Sequence, residues 1–271
     1  MAAAPRPSRF DRDTALVARG DGRFEGRMDR GWWIERGPNG GYVAAVILRA
    51  LTMAVDDRGR SPRSFTVHFL APPVEGPVEV TTAIERSGRQ LTFVSGRLRQ
   101  DGRSLAVAQA VFSRPVIAPE FDDAEPPSVP PPEDLEPLGP TGPMAIPLRE
   151  RYETRWAIGP LPFTAGDRAE AGGWIRLTDP RPVDHVQLAA MSDAWLPPAF
   201  SRSAERFGLP TIDLTVHFRS AVLPADDWLL ARFRTRSSIE GFLEEDGEIW
   251  SRDGRLLVQS RQLSLVMTVP G

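Results

Sequence analysis

Two separated stretches of this chain alternate apolar and polar residues in nearly the same words. Residues 64–69 read SFTVHF and residues 213–218 read DLTVHF, so Phe65, Val67 and Phe69 share one face, as do Leu214, Val216 and Phe218. Strand-like runs follow both. After the first come residues 78–84 and 91–98, with turns at Ser87-Gly88 and Asp101-Gly102. After the second come residues 228–234, 242–250 and a last strand over 255–266, with a turn at Asp253-Gly254. Asp-Gly between two such runs is a strong hairpin signal. Upstream of each strand lies a helical run. Asn39, a good N-cap, and the permissive Gly40-Gly41 precede residues 42–51, which are apolar nearly all round, as in a fully buried helix. In the second copy Asp184 caps residues 185–195, which Pro197-Pro198 close.

The two patterns form an internal repeat. Residues 100–105 (QDGRSL) return as residues 252–257 (RDGRLL), and both matched pairs share an offset of about 150 in the same order. Each copy reads as a helix followed by a meander of antiparallel strands, which predicts an α+β fold with a sheet wrapped around a buried helix. Residues 114–147 are dense in Pro and acidic residues and predict an extended linker with no core of its own. The expected organisation is thus a first domain over 1–113, the linker, and a second domain over 148–271. Residues 152–174 open the second copy and include Gly172-Gly173-Trp174.

Composition narrows the chemistry. The chain has 271 residues, a formal net charge of −3 and no Cys. A near-neutral balance gives no footprint for nucleic acid. Disulfides, thiolate metal sites and a Cys nucleophile are excluded. His68, His185 and His217 are too scattered to form a metal-binding spacing, so neither a metal nor another cofactor is expected. The Ala/Pro-rich start lacks the apolar core of a signal peptide, and no run is long enough for a membrane span. These features point to the cytoplasm. All 33 basic residues are Arg, which reads as a coding bias.

A buried helix gripped by a curved antiparallel sheet, duplicated in one chain, resembles the double-hotdog arrangement of the acyl-CoA thioesterase II family. In the first copy the resemblance rests on Asn39-Gly40-Gly41 with its helix and on the strand over 64–70. In the second it rests on Met191-Ser192-Asp193, Leu209-Pro210-Thr211-Ile212-Asp213, Asp226-Asp227-Trp228-Leu229-Leu230, and the Asp253-Gly254 turn leading to Gln262. The resemblance implies a fused pseudo-dimer with an acyl-CoA substrate. It also implies that Asp193, Thr211 and Gln262 together hold an attacking water. The chain departs from the family at Leu214-Thr215-Val216, where a His is common, and at Leu263, where an acidic residue often follows the Gln.

The residues can be weighed without the resemblance. Val186, Ala189, Ala190 and Asp193 fall at i, i+3, i+4 and i+7, so Asp193 ends a small apolar stripe of its helix. There it is either a partly buried base or a cap ahead of Pro197. Thr211 alternates with Asp213, Thr215 and His217 on the polar face of its strand, and Gln262 alternates with Ser260 and Ser264. Alone, each also fits a plain structural position. The positions equivalent to Asp193 and Gln262 in the first copy are about Leu48 and Ala110, so the chemical groups belong to one copy only. Gly40 and Gly41, at a helix N-terminus, are candidates for oxyanion donors or simply for a turn. With Asn39 they form the expected substrate-binding group. Trp32 and Trp33 would flank an acyl slot or belong to the core, and Arg side chains would hold the phosphates of CoA.

Water-mediated thioester hydrolysis is therefore the expected activity. A non-catalytic acyl-CoA-binding protein is the alternative from another class. A hydratase is a third reading, with His185 near a helix start in Asp179-Pro180-Arg181-Pro182-Val183-Asp184-His185. Exposed sheet faces and edges of such units favour a homodimer or a larger homo-oligomer.

Overall fold

The computed structural model describes residues 6–139, 145–220, 223 and 228–268. Asp226, Asp227 and residues 140–144 of the expected linker lie outside them. The first half runs α1 (Arg9–Asp13), β1 (Val17–Gly20), β2 (Arg23–Met28), α2 (Gly40–Val55), β3 (Ser61–Phe69), β4 (Gly76–Ser87), β5 (Leu91–Gln100) and β6 (Arg103–Ser113). The second runs β7 (Tyr152–Ile158), β8 (Glu170–Leu177), α3 (His185–Met191), β9 (Phe207–Gly208), β10 (Thr211–Phe218) and β11 (Leu229–Arg234). It closes with β12 (Ser238–Ile239), β13 (Phe242–Ser251), β14 (Leu256–Leu265) and β15 (Met267–Thr268). The helix α1 and the β1–β2 hairpin, turned at Asp21 and Gly22 with φ of 49° and 69°, add to the elements the sequence pattern indicates.

Thirteen strands form one antiparallel sheet in the order β1-β2-β4-β5-β6-β3-β10-β14-β13-β11-β8-β7, with β12 on the flank of β13. The two repeated strands, β3 and β10, pair with each other at its centre. Thr66 stands directly opposite its repeat counterpart Thr215, and their hydroxyls meet at 3.0 Å. A pseudo-two-fold axis passes between them, so the duplication builds one sheet shared by both halves. On the inner face Phe65, Val67, Leu214 and Val216 are all fully buried.

Helix α2 is held against this face by the composition that predicts it. Asn39 caps it through Oδ1, which accepts from the Tyr42 N–H at 3.1 Å, and its residues 41–48 are buried on every side. Asp184 caps α3 in the same way, accepting from the Gln187 N–H at 2.7 Å.

Among the described residues of the Pro-rich segment the one helical piece before residue 140 is the 3-10 turn Pro132–Asp134, and this part of the chain is not simply solvated. Trp174, Trp228, Leu230, Trp250 and Leu256 form a cluster on the outer face of the second half, and Val129 and Leu135 cover it. The Trp174 indole N–H donates to the Pro130 carbonyl at 2.8 Å, and the Leu138 N–H to the Thr154 carbonyl at 2.9 Å. The segment is a strap that lets β8, β11 and β13 bury both faces.

The central seam should be the least forgiving part of the sheet. Leu214→Ala is expected to cost about 2–5 kcal/mol in denaturant-induced unfolding. A change under about 1 kcal/mol would show that the two halves do not depend on their shared inner face.

Candidate active site

Helix α3 ends four residues earlier than its apolar stripe suggests. The expected run to Trp195 stops at Met191, where the Ser192 hydroxyl turns back to donate to the Leu188 carbonyl at 2.9 Å. Pro197 and Pro198 keep α3 from continuing, and Pro198 instead opens a separate 3-10 helix over Pro198–Arg202. Asp193 therefore lies in a turn, released from the helical stripe. Counted from the two caps, its counterpart in the first half is Leu48, fully buried inside the uninterrupted α2.

The freed carboxylate meets the N-terminus of α2. The Gly41 N–H donates to Asp193 Oδ2 at 2.9 Å; Asn39 Nδ2 donates to the same oxygen at 2.9 Å and to the Asp193 carbonyl at 2.7 Å. Among the described residues no donor at hydrogen-bond distance takes up Oδ1. Both glycines are required by this approach. A Cβ at Gly40 would stand 2.9 Å from Asp193 Oδ2 and 3.3 Å from Phe69, and one at Gly41 would collide with the Ala190 carbonyl.

In the structure the Asn39 side chain and the Gly41 amide, expected at a substrate, lie against Asp193. The Gly41 N–H and the Asn39 amide are committed to Asp193, and the Gly40 N–H also favours its charged form. The helix dipole is spent on a carboxylate of the protein itself.

Thr211 and Gln262 join the same site through a departure from strand alternation. A β-bulge between Thr211 and Asp213 shifts the register, so that Thr211 pairs with Ser264 and Leu214 with Gln262. Thr211 thereby leaves the outer polar face that simple alternation assigns it. Its hydroxyl donates to Gln262 Oε1 at 3.3 Å. Gln262 lies on the inner face opposite the fully buried Leu214 and is itself buried.

Sequence reasoning missed two members. Glu245 on β13 is buried directly opposite Gln262, whose Nε2 donates to its Oε1 at 2.6 Å. A signal was present, since Leu243, Gly247 and Ile249 mark the inward positions of that strand and Glu245 falls among them. Tyr152, at the start of β7, is buried with a hydroxyl that finds no hydrogen-bond partner among the described residues, and it feels the Asp193 charge.

Burial dominates the electrostatics. Asp193 keeps some accessible surface but is densely surrounded, and burial raises its carboxyl to about 6 against the pull of the Gly41, Gln262, Asn39 and Gly40 groups. Burial, and then the Asp193 charge, push Glu245 to about 8. The Tyr152 phenol is pushed up by burial and by Asp193, so it stays protonated.

Other candidates lie elsewhere. Trp32 and Trp33 are core, not an acyl slot: Trp32 stacks on Tyr42 at 5.2 Å and meets Phe10 and Tyr152 edge-on. His185 sits edge-on to Phe218 with Nε2 3.3 Å from the Ser220 carbonyl, and Asp184 is occupied as a cap and by Arg181. Asp184 and His185 therefore do not form the Asp–His pair that a hydratase would use at this helix start. Among the described residues no group of three His, Asp or Glu side chains could hold a metal, and no helix is long and apolar enough to cross a membrane.

A helix-borne site in a duplicated, curved sheet is the double-hotdog arrangement, and comparison with known proteins gives its family. Residues 29–113 match the acyl-CoA thioesterase N-terminal domain, and residues 125–266 match the acyl-CoA thioesterase C-terminal domain. The chain belongs to the acyl-CoA thioesterase family. An uncharacterized protein of Mycobacterium tuberculosis is 28% identical over 268 residues, with 90% of each chain covered. A hot dog fold protein of unknown function from Alicyclobacillus acidocaldarius superposes with a TM-score of 0.88 at 29% identity, covering 97% of this chain and 98% of that one. An acyl-CoA thioesterase II from Mycobacterium marinum shares the fold, with a TM-score of 0.77 at 22% identity and coverage of 97% and 99%.

The raised carboxyls make stability depend on pH in a fixed direction. Asp193 and Glu245 hold protons in the folded state that the unfolded chain releases nearer pH 4, so their charging penalty grows as pH climbs toward about 6 and about 8. Thermal midpoints measured between about pH 5 and 8 should fall with pH, and fall less in Glu245→Gln. Equal slopes for the two proteins would contradict the burial of this carboxyl.

Proposed function

We propose that the protein hydrolyses acyl-CoA thioesters by direct attack of a water held by Asp193, Thr211 and Gln262. The observation that carries this reading is the Asp193 carboxylate itself. It is anchored through one oxygen, leaves the other for water, and has a proton affinity moved to about 6, in the range a general base needs. Thr211 and Gln262, brought to the inner face by the bulge, supply the remaining polar partners that orient the water.

In the first step Asp193 takes a proton as the water oxygen bonds to the thioester carbon, giving a tetrahedral oxyanion. In the second the C–S bond breaks, the electron pair leaves with the CoA sulfur, and the proton returns from Asp193 to that thiolate. The products are a carboxylic acid and free CoA. The oxyanion needs a donor, and the α2 amides serve Asp193 instead. The buried, protonated and unpartnered Tyr152 hydroxyl is the donor we assign to it. Arg side chains are the counter-charges for the phosphates of CoA.

Assay of the intact protein against acyl-CoAs from short to long chains tests the activity. Asp193→Asn is expected to lower kcat by roughly 10²–10⁴-fold with circular dichroism unchanged. In the parent enzyme kcat/KM should rise with pH and level off above about 6, where Asp193 is ionised. Absence of hydrolysis across the series would favour a binding protein. Tyr152→Phe, which removes one oxygen, should lower kcat by on the order of 10²-fold. An unchanged kcat would remove Tyr152 from the mechanism.

A further inference from the structure

The polar pair formed by Glu245 and Gln262 has a counterpart in the first half that carries no polar atom. Across the inner face of the second half, neighbouring strands align Glu245, Gln262 and Leu214. In the first half the corresponding row is Val94, Ala110 and Phe65. The match is fixed on both flanks: Phe65 and Leu214 are the repeated strand residues, and Gly96 and Gly247 each follow two residues beyond Val94 and Glu245. Val94 and Ala110 are as buried as the pair they mirror. The fold therefore closes over this row with two small apolar side chains, and its architecture does not require a carboxyl there.

Keeping one there is costly. Glu245 is 5% exposed, and among the described residues it has no Arg within ion-pair distance. Its contact is the neutral amide of Gln262, at 2.6 Å. Replacing such a group by an apolar side chain is commonly neutral or stabilising. A structural account leaves the residue unexplained.

The amide accounts for it. A glutamine side chain can present its oxygen or its nitrogen to a given neighbour, and the two settings differ by a half-turn. Thr211, at 3.3 Å, accepts or donates and so does not choose between them. Glu245 Oε1 accepts from the Gln262 NH₂, so the proton of the neutral carboxyl sits on the other oxygen, and Oε1 draws the NH₂ to its own side. That leaves Gln262 Oε1 for the Thr211 hydroxyl, and the amide also favours the charged form of Asp193. We propose that Glu245 is a positioning residue that fixes the orientation of the Gln262 amide. This rests on the hydrolytic reading of the site, in which Gln262 holds the attacking water.

The test is a double-mutant cycle on the full-length protein, with steady-state kinetics on an acyl-CoA that the parent hydrolyses. Glu245→Val, which installs the first-half residue, should lower kcat at least about tenfold while KM stays within about twofold. Adding it to Gln262→Ala should cost nothing more than Gln262→Ala alone. Glu245→Gln, which keeps an acceptor oxygen, should retain kcat within about threefold. Thermal unfolding should show Glu245→Val no less stable than the parent; if it fails to fold, Glu245→Met, closer in volume, takes its place. Three results would overturn the proposal: an unchanged kcat in the apolar variant, losses that multiply in the double variant, or a Glu245→Gln variant as slow as Glu245→Val. An independent readout is the Gln262 side-chain NH₂ pair in ¹⁵N-resolved NMR, identified by its loss in Gln262→Ala. One proton should be shifted downfield and slow to exchange in the parent, and should lose both properties in Glu245→Met. An NH₂ pair indifferent to that change would refute the positioning role even for a protein that hydrolyses no thioester, whereas a parent inactive on every acyl-CoA would refute the hydrolytic reading alone.

Discussion

Everything at the site depends on one junction, where the carboxylate of Asp193 meets the N-terminus of α2. An α-helix leaves its first N–H groups unpaired, and a buried helix must satisfy them inside the protein. Here a residue from the other half does so, accepting from Gly41 and Asn39. The same contact sets the Asp193 proton affinity. Burial raises it strongly, and the helix amides hold it to about 6. Without the burial the carboxyl would be a weak base; without the amides it would stay protonated at neutral pH. The crossing tolerates no side chain at Gly40 or Gly41, so packing and chemistry constrain the same two positions.

Duplication made this junction available. Two copies of one helix-and-meander unit pair through β3 and β10, and Thr66 meets its own counterpart, Thr215, on the pseudo-axis. The symmetry ends where the chemistry starts. The first half keeps an unbroken helix with Leu48 in place and the apolar row Val94–Ala110. The second half breaks its helix after seven residues and carries Asp193, Gln262 and Glu245. One half supplies the helix N-terminus, the other the buried polar groups, to which we assign the handling of water. The Pro-rich segment adds a further asymmetry by covering the outer face of the second half alone with Val129 and Leu135.

The architecture was largely legible in the sequence, because a repeated strand, repeated Asp-Gly turns and two capped apolar runs each have a direct physical reading. The β1–β2 hairpin was missed although Asp21-Gly22 carries the same turn signal. Asp193, Thr211 and Gln262 were singled out through family resemblance, which did not give their geometry. Periodicity alone continued α3 to Trp195, since Ala189, Ala190 and Asp193 keep helical spacing; the turn made by Ser192 lies outside that pattern. Strict alternation put Thr211 on the outer face, since a bulge leaves no mark in the order of residue types. Glu245 escaped because a charge in an acidic strand reads as solvent-facing until its neighbours' burial is known. The glycines were singled out for contact with a substrate, and the structure shows them packed against Asp193 and the Ala190 carbonyl.

In the proposed reaction water reaches the thioester directly, with Asp193 as base. A single turnover in H₂¹⁸O with enzyme in excess over acyl-CoA tests it most directly. Direct attack puts one solvent oxygen in the released acid and none in the peptide containing Asp193. An unlabelled acid together with ¹⁸O in Asp193 would reveal a covalent acyl-enzyme and contradict it.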